Sequence, residues 1–265
     1  MTVILRGDGR RPDELRPLSF RRGVNRYAEG SVLVFWGETQ LLCTASVEEK
    51  VPLFLRGTGQ GWVTAEYSML PRATQSRTVR ESVRGRVGGR SQEIQRLIGR
   101  SLRSALFLPL LGERTIWIDC DVLQADGGTR TAAISGATLA LVDALRYLWR
   151  EERLPCIPLR SLISAVSVGK VGGVSLLDLC YEEDSRAEVD ANLVGDEQED
   201  FIEVQATGER STFSRKELEG FLHLASLGLD RIRQLQKASL DLSPEEEEAI
   251  AEGHRCFGQY QQGQA

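Results

Sequence analysis

Asp126-Gly127-Gly128-Thr129-Arg130-Thr131 gathers two glycines, two hydroxyls and a guanidinium where a β-rich run gives way to a helix-spaced one. Such a junction suits an anion: glycine admits close backbone N–H groups, a helix start carries partial positive charge, and Arg130 can grip two phosphate oxygens. The same residues also make a tight turn with a helix cap, and spacing leaves both readings open. Further along, Asp178, Glu182, Glu183, Asp184, Glu188 and Asp190 crowd into thirteen residues. Like charges this dense are tolerated on a solvated loop, which charge counting favours, or around a divalent cation such as Mg²⁺. Finally, nine arginines fall between Arg72 and Arg103, opposed only by Glu81 and Glu93. Set among glycines and small polar residues, Arg72, Arg77, Arg80, Arg84 and Arg86 suit a sequence-tolerant grip on a nucleic-acid backbone, or a solvated or subunit-contact surface. Aromatic interleaving is sparse, so base stacking is not the expected mode.

Other chemistries find little material. The only histidines are His223 and His254, too few for a Ser-His-Asp triad or a His-based metal site. The five cysteines are scattered and never spaced as CxxC, so reduced thiols are expected rather than a disulfide framework or a thiolate zinc site. Gly169-Lys170 is no Walker loop, because Ser164 stands where the first glycine belongs and Val171 where Ser or Thr belongs. The formal net charge of −5 argues against a polyanionic partner on average, but 29 of the 33 basic residues are arginine and they cluster. The longest apolar candidate, Ala105 to Leu111, is short and contains Pro109, and the start MTVILRGDGRR lacks the pattern of a secretion signal. A globular cytoplasmic protein is expected.

The elements that must position these residues follow from periodicity. Val32 to Trp36 and Gln40 to Val47 read as a hairpin across Gly37-Glu38-Thr39, with a third strand at Trp62 to Leu70. Ile94, Leu97, Ile98, Leu102 and Leu106 mark one face of a helix; Ile116 to Gln124 is a strand, and Ile134, Ala137, Leu141 and Leu145 mark a second helix. From residue 162 the order recurs. LISAVSVGKV and VSLLDLCY pair across Gly172-Gly173, FIEVQATG is a third strand, and a helix runs from about Lys216 to Leu240. A strand, strand, strand, helix unit occurring twice predicts an α/β (α+β) protein of two related sheet-and-helix halves. The reading divides the chain into 1–150 with the arginine segment and anion loop, 151–242 with the acidic segment and long helix, and an acidic, flexible tail at 243–265 that reads as a solvated helix fraying into disorder.

Taken in order, RGDGRRPDELRP, GWVTAEYSMLPRAT, GGRSQEIQRLIGRSLR, DCDVLQADGGTRTAAISGA, YEEDSRAEVDANLV and EVQATGE resemble the ribonuclease PH family over nearly the whole chain. The resemblance implies two βαβα-type halves of the ribonuclease PH and ribosomal protein S5 domain 2-like fold. It implies a phosphorolytic 3′-to-5′ exoribonuclease that trims tRNA precursors beyond the CCA end, using inorganic phosphate and releasing nucleoside diphosphates. The reverse reaction makes it a tRNA nucleotidyltransferase. By the same resemblance Arg90, Gly128, Thr129 and Arg130 hold phosphate, with Arg130 also catalytic. Asp184 and Asp190 are catalytic and Mg²⁺-associated, with Asp178 a further metal candidate, and Arg72, Arg77 and Arg80 steer the tRNA end. Ala191 and Cys180 depart from the family pattern. A homohexamer built as a trimer of dimers is implied too. The alternative of another class is a non-catalytic RNA-binding ring subunit of exosome type, against which the presence of Arg90, Arg130, Asp184 and Asp190 speaks.

Overall fold

The computed structural model describes residues 6–264. Met1 to Leu5, the start read above as lacking a secretion signal, lie outside the described residues, as does the side chain of Arg84.

Strands β1 (Leu18–Arg22), β2 (Gly30–Trp36), β3 (Thr39–Glu48), β4 (Trp62–Met69) and β5 (Thr115–Gln124) form one sheet in the order β1-β2-β3-β5-β4. Neighbours are antiparallel except β4 and β5, whose parallel pairing requires a crossover. Helix α1 (Gly89–Ser104) and the short α2 (Leu108–Leu111) supply it. Helix α3 (Thr129–Arg150) then leads to a second, wholly antiparallel sheet of β6 (Ser164–Val171), β7 (Val174–Leu177), β8 (Val189–Gly195) and β9 (Phe201–Gly208), ordered β7-β6-β8-β9. A single turn, α4 (Tyr181–Asp184), lies between β7 and β8, and α5 (Arg215–Leu240) and α6 (Pro244–Gln264) complete the described chain. The mixed α/β class expected from the sequence is the one observed.

Alternation sets the inner face of the first sheet. Leu41, Cys43 and Ala45 of β3 are buried while Leu42 and Thr44 between them are half-exposed. In α1, Ile94, Leu97, Ile98 and Leu102 form the buried stripe. Helix α3 is buried around its whole circumference from Thr131 to Val142. The reason is its place: α1, α3 and α5 each touch strands of both sheets, so the helices form a shared layer between them.

Three local expectations change. Strand β1 was not anticipated, and neither was β8; among the described residues the halves contain five and four strands rather than four and three. In β8 the sequence VDANLVG takes in Asp190 at the end of the acidic run and lies between β6 and β9, buried on both faces except at that residue and thus without alternation to read. The third correction concerns the tail, expected as a solvated, fraying helix: it is helical, as α6, but docked on the fold. Its Glu246 is 2% exposed and meets Arg146 through two 2.7 Å contacts and Arg150 through one of 2.6 Å. Phe257 stacks on Phe107 with centroids 4.4 Å apart, and His254 meets the same ring edge-on at 4.9 Å. A glutamate run reads as solvated when its arginine partners lie about a hundred residues away.

Candidate active site

Where β5 ends, the chain turns through Asp126 to Gly128 into α3. Gly127 and Gly128 have φ of 76° and 65°, a left-handed backbone that favours glycine. A Cβ on Gly127 would also come within 2.5 Å of the Leu179 carbonyl oxygen, so the loop presses directly on the backbone of the acidic segment. Among the described residues no side chain caps α3. Thr131 turns its hydroxyl back to the Gly128 carbonyl at 2.9 Å, and among the described residues the N–H groups of Gly127, Gly128 and Thr129 have no protein acceptor. Uncapped N–H groups at a helix start favour an anion.

The loop forms one wall of a cleft of about 650 Å³. Arg90, the second residue of α1, lines it together with Gly128, Thr129, Arg130, Asp184 and Asp190. Asp184 ends α4 and Asp190 is the second residue of β8, so the unanticipated strand carries half of the carboxylate pair. Partial desolvation by the cleft walls raises Asp184 above the ordinary carboxylate value, against the pull of Arg90 and Arg130. Desolvation and then the charge of Asp184 raise Asp190. Two guanidinium groups therefore face two carboxylates that resist ionising side by side.

Tyr67 and Asn192 support these groups and were not singled out from the sequence. The Tyr67 hydroxyl shares a 2.8 Å hydrogen bond with Thr129 Oγ1, and burial pushes the phenol up. Asn192 Nδ2 donates to Asp190 Oδ2 at 3.2 Å. Tyr67 sits on β4, where alternation marks it as core, so its polar tip gave no separate signal.

Asp178 does not join the pair. It is 1% exposed, and its carboxylate accepts from the Arg16 backbone N–H at 2.7 Å, Arg16 Nη2 at 2.7 Å, Arg16 Nε at 3.1 Å and Trp36 Nε1 at 2.9 Å. Its carboxylate is taken up in this buried network and lies outside the cleft lining, so its nomination as a metal ligand gains no support from the geometry. Glu183 likewise turns inward, receiving Arg6 Nε at 2.6 Å. No residue in the N-terminal segment Arg6 to Arg16 revealed these partners, which lie more than 160 positions away.

The acidic run thus divides. Glu183 and Asp178 are structural, while Asp184 accepts no hydrogen bond from a described side chain and faces the cleft. Among the described residues no group of three or more His, Cys, Asp or Glu side chains converges as a metal cage. Two carboxylates with free oxygens fit Mg²⁺, which takes one or two of them and keeps most ligands as water and substrate oxygen.

Residues 14–146 match the RNase PH description "3′ exoribonuclease family, domain 1", and residues 161–227 match its domain 2. The chain belongs to the 3′ exoribonuclease family. Its fold is shared by solved structures of low identity. Rice (Oryza sativa) Rrp46 is 22% identical with a TM-score of 0.72, over 89% of this chain and all of that one. The Archaeoglobus fulgidus exosome, with RNA bound to its active site, contains a chain 23% identical with a TM-score of 0.74, over 87% of this chain and 92% of that one. An archaeal exosome core gives 23% and 0.69, over 88% and 90%. Within this family fold, Arg72, Arg77 and Arg80 are exposed on the loop after β4, whose Thr74, Gln75 and Ser76 line the cleft. The loop therefore forms the rim of the site, with its arginines outside the lining. No helix among the described residues is long and apolar enough to cross a membrane.

Proposed function

We propose that this protein is a bacterial-type ribonuclease PH: a phosphorolytic 3′-to-5′ exoribonuclease that trims tRNA precursors and runs in reverse as a nucleotidyltransferase. The observation that carries the reading is the convergence of Arg90, Arg130 and the uncapped start of α3 in the same cleft as Asp184 and Asp190. Orthophosphate held by the first set attacks the terminal phosphodiester in line. A bond forms between a phosphate oxygen and the terminal phosphorus, the bond to the penultimate nucleotide's 3′-oxygen breaks, and that oxygen takes up a proton. The products are a nucleoside diphosphate and an RNA one nucleotide shorter. The difficulty is bringing one anion against another, which the guanidinium groups offset. Mg²⁺, held by Asp184 and Asp190, would supply further neutralisation of the spreading charge. A non-catalytic ring subunit would need no such convergence.

A homohexameric, cytoplasmic enzyme follows from the same reading, because symmetry gathers the arginine loops of an acidic chain around shared RNA. With 3′-extended tRNA, Mg²⁺ and radiolabelled orthophosphate, label is expected in nucleoside diphosphates. Release of monophosphates without phosphate would refute phosphorolysis. Arg130→Ala should raise the phosphate concentration needed for half-maximal rate at least tenfold, the size of one charge-assisted hydrogen bond of about 1.5–3 kcal/mol. An unchanged phosphate dependence would remove Arg130 from that role. Replacing Arg77 and Arg80 together by alanine should weaken tRNA binding and reduce the salt slope by roughly 0.7 for each single-strand phosphate no longer neutralised. Equal binding across salt would assign the loop to assembly.

A further inference from the structure

Arg16 is 5% exposed and lies outside the cleft lining, yet it touches both segments that build the cleft. On one side Asp178 takes its Nη2 and Nε at 2.7 and 3.1 Å. On the other, Arg16 Nη1 donates to the Asp126 carbonyl and Nη2 reaches the Gly127 carbonyl at 3.5 Å. Asp178 is itself fixed, because Trp36 Nε1 holds its carboxylate at 2.9 Å while Arg6 Nη2 and Arg10 Nη1 hold its backbone oxygen at 2.8 and 3.0 Å. The guanidinium thus bridges the anchored start of the acidic segment and the carbonyl side of the glycine loop.

A trans peptide sends its C=O and N–H to opposite sides. Fixing the Asp126 and Gly127 oxygens on Arg16 turns the N–H groups of Gly127 and Gly128 away from it, toward the cleft that both residues line and where neither has a protein acceptor among the described residues. Thr39 Oγ1 also donates to the Gly127 oxygen, at 2.8 Å. The arginine's own contribution is therefore the Asp126 peptide plane and the tie to Asp178. We infer that Arg16, seated on Asp178, is a positioning residue for anion use, holding the glycine-loop amides in their phosphate-binding orientation from behind. The inference rests on the reading of the cleft as a phosphate site.

The test is calorimetric titration of inorganic phosphate into the full chain, wild type, Arg16→Lys and Arg16→Gln, with amide hydrogen exchange followed in parallel. Lysine keeps the charge but cannot span Asp178 and the loop with a planar fork. Both variants are expected to bind phosphate about tenfold or more weakly, one charge-assisted hydrogen bond's worth. Exchange should quicken across 125–131 while β3 and the far end of α3 keep wild-type protection, and RNA affinity without phosphate should stay unchanged. Wild-type phosphate affinity in Arg16→Lys overturns the inference. So does a loss of protection spread evenly across the fold, which would make the arginine merely structural. If wild type binds phosphate but forms no nucleoside diphosphate, phosphorolysis falls and the inference is still decided by the variants; if wild type binds no phosphate, both fall.

Discussion

Asp184→Asn is expected to lower turnover by roughly a thousandfold or more, the loss of several kcal/mol of transition-state charge stabilisation, while RNA affinity stays near wild type. The amide keeps the shape of the side chain but removes half of the negative charge that would hold a cation beside the transferred phosphoryl group. In the proposed reading RNA binding is served by arginines, and deleting a negative charge does not weaken attraction for a polyanion. Nor should the fold suffer. A carboxyl raised above its ordinary value is one whose ionised form opposes folding at neutral pH, so the neutral variant should melt at the same temperature or higher. Initial rates of nucleoside diphosphate release at saturating phosphate, paired with filter binding of RNA, measure both halves. Full activity would remove the carboxylate pair from the chemistry.

The second large effect concerns α6. Glu246→Gln should destabilise the protein by about 3 kcal/mol, because it leaves the buried Arg146 with an amide in place of a bidentate carboxylate. The lower end of the range for broken buried pairs applies, since Arg146 keeps Asp143 at 3.4 Å and the Leu240 carbonyl at 3.2 Å. Denaturant midpoints and hydrogen exchange in α6 report it. Burial alone would raise Glu246, but its hydrogen bonds from Arg146 and the Ser243 backbone, with the nearby arginine charges, bring it below the usual carboxylate value. A lowered carboxylate stabilises the fold fully above its ordinary pKa of about 4.3, and that stabilisation is lost as pH falls through the lower folded value. Release of α6 should therefore begin only in acid, and Glu246→Gln should abolish that pH dependence. A helix that stays protected in the variant would show that its other contacts, the Phe107 aromatic ones and the Ile157 N–H to Ala249 carbonyl bond among them, suffice to dock it.

Sequence alone determined the elements whose periodicity survives folding and the loops whose composition has few uses. The stripe Ile94, Leu97, Ile98 and Leu102 appears as the buried face of α1, and Asp126 to Thr131 joins β5 to α3 as expected. Arg90, Gly128, Thr129, Arg130, Asp184 and Asp190 were all named through the family resemblance of their sequence blocks, and the fold brings them to one cleft. Only tertiary structure could divide the acidic run. Asp178 and Asp184 are alike in sequence, yet the first meets Arg16 and Trp36 from over 140 positions away and the second meets solvent. The same holds for the Glu246 run against Arg146 and for β8, hidden because a strand buried on both faces loses the alternation by which strands are read. Local spacing encodes which face an element buries. Which charge neutralises a given carboxylate is fixed only by long-range closure of the chain.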